Sequence, residues 1–368
     1  MSFSPDELAR YQRHLSLAGF GPAGQEKLKR GSVLVIGAGG LGCPALLYLA
    51  AAGVGRIVIV DDDRVDISNL QRQVLYTEDD AGELKAEAAA RRLHALNPLI
   101  KIEPHVERFT RANALELVRA CDVVLDGSDN FATRYLVNDA CVLAGRPFVY
   151  GAIQGFDGQL SVFNWRGGPT YRCLFPEPPE PGSVPNCAEA GVLGVLPGLI
   201  GTAQACEAIK LLTGIGESLS GRLLLWDALT MTTQCVSLAV DPRSRQIHEL
   251  PPEGYGETCA TPAVGAEEID VAVLRAALDQ GHAPQLIDVR ESWERARGSI
   301  EPSVHVPVGE LERNAVRALA ALDPAKPTVV YCAAGVRSLY GARILRERHG
   351  FRQVVSLQGG CNAWFKFF

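Results

Sequence analysis

The stretch Ser32-Val-Leu-Val-Ile36-Gly37-Ala-Gly39-Gly40-Leu41-Gly42 decides the fold of the N-terminal part of the chain. Its β-branched run predicts a buried strand, and the glycines that follow it predict a tight turn. A helical pattern then covers Leu41–Ala52, and a second apolar run, Arg56–Val60, ends at Asp61. Strand, glycine-rich turn, helix and strand make a βαβ unit, which predicts a parallel sheet with a phosphate-binding turn.

The same alternation continues through the next two hundred residues. The other predicted elements there are helices over Glu83–Leu96, Asn130–Ala144 and Gly191–Thr213 and strands over Ile100–Val106, Asp122–Asp126, Pro147–Ala152, Arg222–Trp226 and Thr233–Val240. From Trp165 to Ala190 the pattern gives way to Pro, Gly and Glu, which predicts a long irregular segment. We therefore expect an α/β domain with a Rossmann-like, doubly wound sheet.

A second Pro- and Gly-rich stretch divides the 368-residue chain. It predicts a linker over residues 251–265, between a first domain (1–250) and a smaller α/β domain (266–368). The elements predicted for the second domain are helices over Ile269–Gln280, Glu310–Leu322 and Val336–His349 and strands over Gln285–Val289, Thr328–Tyr331 and Gln353–Leu357.

Composition excludes several classes of partner. The net charge of −6 argues against nucleic-acid binding. The apolar stretches Leu41–Val60 and Val192–Leu212 are interrupted by glycine, proline and charged residues, so we expect buried elements and no membrane partner. Met1–Ala9 is polar and lacks the apolar core of a signal peptide, and the ten cysteines are scattered, which favours a cytoplasmic protein with reduced thiols.

Polar residues beyond the second strand sharpen the prediction of a phosphate site. Asp61 can hold a pair of ribose hydroxyls; after it come Asp63, the stretch Asp66-Ile-Ser68-Asn69-Leu70-Gln71-Arg72-Gln73, and Lys85. Asp129-Asn130 follows another strand, at the edge of the sheet where ligands bind. The glycine turn alone would suit NAD or FAD as readily as ATP. Two cations and an aspartate, however, suit a triphosphate with Mg²⁺, which a hydride-transfer site does not need.

These residues together resemble the ubiquitin-activating-enzyme-like adenylyltransferases of the ThiF/MoeB type. The matching pieces are Arg10-Tyr11-Gln12-Arg13-His14, the Gly37–Gly42 turn, Asp61, Ser68–Gln73, Lys85, Asp126-Gly-Ser-Asp129-Asn130 and Cys187-Ala-Glu-Ala-Gly-Val-Leu-Gly194. The resemblance implies an ATP site made of Gly37, Gly39, Gly40, Gly42, Asp61, Asp63, Ser68, Asn69, Leu70, Gln71, Arg72, Lys85, Asp129 and Asn130. It further implies that Asp129 works with Mg²⁺ and that Arg13 reaches the phosphates from the neighbouring subunit of a homodimer.

Two features of the cysteines in this region bear on metal binding and on catalysis. Relatives often carry a structural zinc site of two C-x-x-C pairs. Here Thr170 stands three positions before Cys173, where the first cysteine of a pair would be, and Arg243-Ser244-Arg245 stands where the second pair is expected. Because a closed zinc site needs four ligands of this kind, we expect no structural zinc. Cys187 precedes a helix start, where a thiol can become a nucleophile, although a half-buried inert thiol is the commoner case. The resemblance implies a redox or thioester role for Cys187.

The second domain carries a cysteine between a strand and a helix, in Tyr331-Cys332-Ala-Ala-Gly335-Val-Arg337-Ser338. Small residues let successive N–H groups point inward, so the helix N-terminus and Arg337 could stabilise a thiolate or persulfide at Cys332. With Leu286-Ile-Asp288-Val-Arg290-Glu291 and Leu357-Gln-Gly359-Gly360…Trp364, the loop resembles those of rhodanese-type sulfurtransferases. The alternative is an inactive rhodanese fold.

Taken whole, the chain resembles molybdopterin-synthase adenylyltransferase/sulfurtransferases. The resemblance implies that ATP adenylates the C-terminal Gly-Gly carboxylate of a ubiquitin-like sulfur-carrier protein, and that a persulfide on Cys332 then forms the thiocarboxylate. Cys187 would resolve an acyl disulfide, and the sulfur would come from thiosulfate or a cysteine desulfurase. Three other functions stay open: ubiquitin-like conjugation through a Cys187 thioester, a non-catalytic nucleotide-sensing module, and a nicotinamide oxidoreductase.

Overall fold

The chain divides into two compact units, Met1–Cys259 and Ala260–Phe368, each with its own sheet. The computed structural model describes residues 3–178, 191–251, 255, 268–279, 283–313 and 316–366. Both sheets are covered by helices, so the α/β fold class expected from the alternating pattern is confirmed for both units.

Eight strands form the sheet of the first unit, in the order β3-β2-β1-β4-β5-β6-β7-β8. They are β1 (Ser32–Ile36), β2 (Arg56–Val60), β3 (Lys101–His105), β4 (Val123–Asp126), β5 (Phe148–Gln154), β6 (Asp157–Phe163), β7 (Arg222–Asp227) and β8 (Thr232–Ser237). The first five strands in this order are parallel and the last three are antiparallel. The pattern did not predict β6, which returns from β5 through a hairpin.

Nine α-helices are described in the first unit. They are Pro5–Arg10, Gln12–Leu15, Gly21–Arg30, Gly42–Ala52, Lys85–Leu96, Arg111–Arg119, Phe131–Ala144, Tyr171–Leu174 and Val195–Thr213. The four long helices predicted from periodicity are present, with starts that differ by one to four residues. The three N-terminal helices and Arg111–Arg119 were not predicted, because each is short and carries many charged or polar residues.

The central strands are buried on both faces. Along β1, Val33 and Val35 belong to one apolar cluster, and Leu34 and Ile36 belong to another. Successive side chains of a strand point to opposite faces of its sheet, so a separate core covers each face. This double burial explains why these strands read as continuous apolar runs.

Helix Val195–Thr213 is the one helix among the described residues that is long and apolar enough to cross a membrane. Half of its apolar window is nevertheless buried inside the protein. The fully buried Gln204 donates hydrogen bonds to the backbone oxygens of Asp126 and Val149, at 2.7 and 3.2 Å. Polar groups satisfied in this way are typical of a core helix that packs on the sheet.

The second unit has five parallel strands in the order β11-β10-β12-β13-β9. They are β9 (Glu268–Ile269), β10 (Gln285–Asp288), β11 (Val304–His305), β12 (Thr328–Tyr331) and β13 (Val354–Leu357). The described helices are Val271–Asp279, Ser292–Arg295, Val308–Glu312, Val316–Leu319, Val336–His349 and Gly360–Lys366. The predicted helix Glu310–Leu322 is wrong as a single element, because two short helices occupy its place.

Candidate functional site

The glycine-rich turn lies where the order of the parallel strands reverses. From β1 the chain moves to β2 and β3 on one side, and then returns to β4 on the other side of β1. Gly37 follows β1 with φ of +89°, and a Cβ there would lie 3.0 Å from the backbone oxygen of Gly127, which follows β4. The two strand ends therefore meet at the crevice where doubly wound sheets bind ligands.

Close packing leaves no room for side chains in parts of this turn. A Cβ on Gly42 would lie 2.0 Å from the Gly37 oxygen, so only glycine fits there. A Cβ on Gly39 would meet only Gln73 Nε2, at 3.7 Å. No described residue accepts a hydrogen bond from the N–H groups of Gly39 or Gly40. Free N–H groups before helix Gly42–Ala52 make a site suited to a phosphate.

Asp61 is fixed at the end of β2, beside the turn. Its Oδ2 accepts a hydrogen bond from the Ala38 N–H at 2.7 Å, and its Oδ1 accepts one from the Asp63 N–H at 2.9 Å. Burial raises the pKa of Asp61, while the hydrogen bond from Ala38 and the charge of Lys85 act in the opposite direction. The carboxylate is thus held in one orientation, with lone pairs left to accept hydroxyl groups.

A buried cation, Lys85, lies beside Asp63 and acts electrostatically on Asp61. Lys85 is buried at the start of helix Lys85–Leu96, and its Nζ contacts Asp63 Oδ2 at 2.8 Å. The Lys85 N–H also donates to the Asp63 backbone oxygen, at 2.9 Å. Since Asp63 is exposed, a phosphate could replace its carboxylate as the partner of the ammonium group.

Arg72 approaches the turn from the segment after β2. A Cβ on Gly40 would lie 3.6 Å from Arg72 Cδ, and Arg72 Nη1 donates to the Ser68 backbone oxygen at 3.3 Å. Asp66 caps the short 3₁₀ turn Ile67–Asn69 by accepting the Ser68 N–H at 2.8 Å. The structure therefore brings the segment that contains Ser68, Asn69, Leu70, Gln71 and Arg72 beside the glycine turn.

The loop after β4 places two aspartates in different environments. Asp126 is fully buried; its Oδ1 accepts hydrogen bonds from the N–H and hydroxyl of Ser128, at 3.0 and 2.6 Å. Its Oδ2 has no partner within the described part of the chain. Burial raises the pKa of Asp126, and the nearby Arg134 opposes this. Asp129 is exposed, and Asn130 Oδ1 caps helix Phe131–Ala144 by accepting the Thr133 N–H at 2.9 Å.

Three residues of this site were given no role from the sequence, and one predicted residue, Arg13, is not brought to it. Asp126 and the buried Gln73 stand in the quoted segments without an assigned role, whereas Arg134 is an addition; the available signal for Arg134 was its place one helical turn after Asn130. Arg13 is exposed on helix Gln12–Leu15, without a described contact to the turn. Cys187 lies outside the described residues.

The positions that would carry a zinc site come together without four metal ligands. Cys173 Sγ lies 3.3 Å from the N–H nitrogens of Thr170 and Asp241 and 3.1 Å from Ser244 Oγ. Although burial alone would raise the pKa of Cys173, the hydrogen bonds from Ser244, Asp241 and Thr170 lower it below its ordinary value. One sulfur surrounded by hydrogen-bond donors does not fit a closed zinc centre.

In the second unit, Cys332 begins a tight loop between β12 and helix Val336–His349; we call residues 332–337 the persulfide loop. The Gly335 N–H donates to Cys332 Sγ at 3.1 Å, and Ser338 Oγ lies 3.5 Å from the same sulfur. Gly335 has φ of +100°, which glycine adopts without strain. Cys332 is only 1% exposed, so its sulfur lies inside the loop and not on the surface.

A Gly-Gly turn supports the persulfide loop from the side. The N–H groups of Cys361 and Asn362 donate to the oxygens of Cys332 and Ala333, at 2.8 and 2.9 Å. A Cβ on Gly360 would lie 2.3 Å from the Cys332 oxygen, so this contact requires glycine. These two hydrogen bonds hold the backbone of the loop on both sides of the Cys332–Ala333 peptide.

Arg337 has a partner that the sequence did not reveal. Its guanidinium makes two hydrogen bonds with the Glu294 carboxylate, at 2.6 and 2.7 Å. Mainly through these bonds the pKa of Arg337 is raised and the pKa of Glu294 is lowered. Glu294 follows the Asp288-Val-Arg290-Glu291 motif by one helical turn, which was the available signal.

One unit thus combines a glycine turn whose free N–H groups suit a phosphate with a fixed carboxylate and two cations, and the other presents a buried cysteine whose sulfur accepts the Gly335 N–H. These features define an enzyme that joins nucleotidyl transfer to sulfur transfer. Comparison with known proteins agrees: residues 11–246 match the ThiF family, and residues 270–367 match the rhodanese-like domain. The chain belongs to the ThiF family, carries a C-terminal rhodanese-like domain, and is an adenylyltransferase and sulfurtransferase.

Some relatives match almost the whole chain, and others match about two thirds of it. The probable adenylyltransferase/sulfurtransferase MoeZ of Mycobacterium tuberculosis is 47% identical over 376 residues, covering 99% of this chain and 94% of that protein. The adenylyltransferase and sulfurtransferase MOCS3 of Sus scrofa is 40% identical over 395 residues, covering 99% and 86%. The sulfur carrier protein adenylyltransferase of Thermus thermophilus is 56% identical over 248 residues, covering 66% and 92%. A crystal structure of E. coli MccB shares the fold, with a TM-score of 0.58, 23% identity and coverage of 66% and 74%.

Proposed function

We propose that this enzyme uses ATP to adenylate the C-terminal carboxylate of a ubiquitin-like sulfur-carrier protein that ends in Gly-Gly. The observation that carries this proposal is the free N–H pair of Gly39 and Gly40, with Asp61, Arg72 and the buried Lys85 close to the same turn. The names of two relatives, a sulfur carrier protein adenylyltransferase and a SAMP-activating enzyme E1, support a protein substrate.

In the proposed reaction, the carrier carboxylate attacks the α-phosphate of ATP, and pyrophosphate leaves. The N–H groups of the turn hold phosphate oxygens, Asp61 holds the ribose, and Arg72 and Lys85 neutralise the charge that develops on the leaving group. Mg²⁺ at Asp129 would add to this neutralisation. An exposed carboxylate close to the unpartnered Oδ2 of Asp126 supplies oxygen ligands of the kind that Mg²⁺ prefers.

The second half of the proposal assigns the sulfur to Cys332. A persulfide there attacks the acyl-adenylate, the carbon–sulfur bond forms, and AMP leaves. The Cys187 thiol then attacks Cys332 Sγ, the sulfur–sulfur bond of the acyl disulfide breaks, the thiocarboxylate leaves, and a Cys187–Cys332 disulfide forms that an external thiol reduces before the next turnover. We further propose that the first domain covers residues 1–250 and the second covers residues 266–368. The enzyme forms a homodimer in which Arg13 of one subunit reaches the phosphates bound by the other, and it is located in the cytoplasm.

Carrier-dependent exchange of labelled pyrophosphate into ATP tests the first half. We expect exchange with carriers that end in Gly-Gly and none when the last glycine is removed. Exchange that is independent of any carrier would contradict the proposal.

We also propose that no structural zinc is present, since hydrogen bonds to Cys173 join the segments that a metal would join. Elemental analysis of the purified enzyme should therefore find much less than one zinc per chain. About one zinc per chain would overturn this proposal.

A further inference from the structure

Arg337 is the only charged residue of the persulfide loop, and its charge is already neutralised. Both nitrogens that point away from its stem bind the two oxygens of Glu294. The side chains of Arg337 and Glu294 are only 20% and 13% exposed, so solvent screens this pair weakly. A planar, two-bond pair of this kind is the strongest arrangement of guanidinium and carboxylate.

Glu294 is held in place from its own side as well. It lies on helix Ser292–Arg295, and its Oε2 accepts the Glu291 N–H at 2.9 Å, which completes a capping box. The exposed Glu291 carboxylate also acts electrostatically on Arg337. Two carboxylates therefore face one guanidinium beside the persulfide loop.

The other arginines of the same segment are engaged too. Arg290 is buried and binds Asp288 through two hydrogen bonds, at 2.9 and 2.8 Å. Arg295 contacts Glu301 at 3.0 Å and Asp288 at 3.5 Å. Arg297 lies over the Trp293 ring, 5.3 Å from its centroid. Within the described part of the second unit, Arg337, Arg290 and Arg295 are thus each paired with a carboxylate, and the persulfide loop itself carries no unpaired guanidinium.

This charge balance discriminates between two kinds of sulfur donor. Thiosulfate is a dianion and must approach the Cys332 thiolate, so two like-charged groups meet unless a cation lies between them. Its leaving group, sulfite, is again a dianion. A persulfide presents a sulfur atom bonded to a carbon-bound sulfur, and its leaving group is a thiolate with a single charge. A loop without a free cation therefore favours the persulfide.

We propose that Glu294 sets donor specificity by neutralising Arg337, so that the enzyme takes its sulfur from a persulfide and not from thiosulfate; this rests on the proposed role of Cys332 as sulfur carrier. In the transfer step, the Cys332 thiolate attacks the terminal sulfur of R–S–SH. The bond from Sγ to that sulfur forms as the donor's sulfur–sulfur bond breaks. The electron pair leaves on the donor thiolate, and the proton remains on the new persulfide or passes to solvent.

The experiment compares three donors on the full chain: thiosulfate, glutathione persulfide, and a cysteine desulfurase charged with cysteine. Sulfur transfer to cyanide is followed as thiocyanate, and loading of Cys332 is followed by mass spectrometry. In the unmodified enzyme we expect kcat/KM to be at least about tenfold higher with glutathione persulfide than with thiosulfate. The desulfurase measurement shows whether a protein persulfide is preferred to a small one.

Glu294→Gln tests the cause of this preference, because it frees Arg337 while keeping the size of the side chain. We expect the KM for thiosulfate to fall roughly tenfold and kcat/KM for glutathione persulfide to change by less than about twofold. Glu347→Gln is the matched control: it breaks the exposed pair with Arg343 on the helix that carries Arg337, and neither donor should be affected.

Equal or better use of thiosulfate by the unmodified enzyme would overturn the inference, and this comparison needs no variant to fold. An unchanged KM for thiosulfate in a folded Glu294→Gln enzyme would overturn the role of Glu294. If the proposed role of Cys332 as sulfur carrier is wrong, the result is different, because then neither donor would load sulfur onto that residue.

Discussion

Asp126 and Asp129 stand three positions apart after β4, yet one is fully buried and the other is exposed. Only the exposed carboxylate can reach a metal and a triphosphate without unpacking the sheet. We therefore expect Asp129→Ala to lower carrier-dependent ATP–pyrophosphate exchange roughly 10²–10³-fold, as loss of a charge-stabilising group does. Glu116→Ala, which removes an exposed acid from helix Arg111–Arg119, is the control and should exchange normally. Near-normal exchange by Asp129→Ala would refute the metal assignment.

Cys173 provides a prediction about pH. Burial raises its pKa, but the hydrogen bonds that the sulfur makes with Ser244, Asp241 and Thr170 outweigh this effect and hold the pKa below the ordinary value of 9.0. The ionised thiol therefore stabilises the fold at alkaline pH, and this contribution is lost as the pH falls through the lowered pKa. Ser244→Ala removes one of these hydrogen-bond partners, so the midpoint of pulsed alkylation at Cys173 should move to higher pH. An unchanged midpoint would show that Ser244 does not set the ionisation.

For single residues, the sequence identified the chemically important side chains better than it identified the side chains that they contact. Cys332 and Arg337 were predicted together as an anion site, because small residues and a helix start follow a buried strand. The structure pairs Arg337 with Glu294 from a different helix. The spacing of residues in the sequence does not indicate which carboxylate a guanidinium contacts in the folded protein. For the same reason, the sequence did not indicate that Oδ2 of Asp126 is buried without a described partner.

Among the secondary-structure elements, helix Val195–Thr213 positions the glycine turn by direct backbone contact. A Cβ on Gly201 would lie 2.2 Å from the Leu41 oxygen, whereas a Cβ on Gly198 would meet nothing within 4 Å. Gly201→Ala should therefore destabilise the first unit by about 1–3 kcal/mol and weaken ATP binding, because the helix must move away from the turn. Gly198→Ala, in the same helix, should be neutral or up to about 1 kcal/mol stabilising.

Thermal unfolding and nucleotide titration of both variants test this contact. A Gly201→Ala enzyme as stable as Gly198→Ala would show that the two helices are not packed as described.

The elements that were predicted well are continuous runs of apolar residues. β1, β2 and helix Gly42–Ala52 are long apolar runs, since burial on both sides forces nearly every residue to be apolar. β6 was missed because Asp157–Phe163 mixes polar and apolar residues beside an irregular segment. It pairs with β5 through tertiary context, which a local pattern does not carry.

For the whole molecule, the two units predict separable activities. The described contacts of the linker end at Tyr255, whose hydroxyl donates to the buried Asp139 at 2.8 Å in the first unit. A truncated protein of residues 1–259 keeps this contact and should retain ATP–pyrophosphate exchange within about twofold of the full chain. It should form no thiocarboxylate, because Cys332 is absent. Loss of exchange on truncation would show that the second unit contributes to adenylation.

The central claim is that one chain both activates a carrier carboxylate and delivers sulfur to it through Cys332. The most direct measurement is mass spectrometry of a Gly-Gly-ending carrier after incubation with the enzyme, ATP and a persulfide donor. We expect the carrier to gain mass by exchange of one oxygen for sulfur, and Cys332→Ala to stop at the acyl-adenylate while pyrophosphate exchange continues. Thiocarboxylate formed by Cys332→Ala, or carrier–lysine conjugates in place of thiocarboxylate, would contradict the claim.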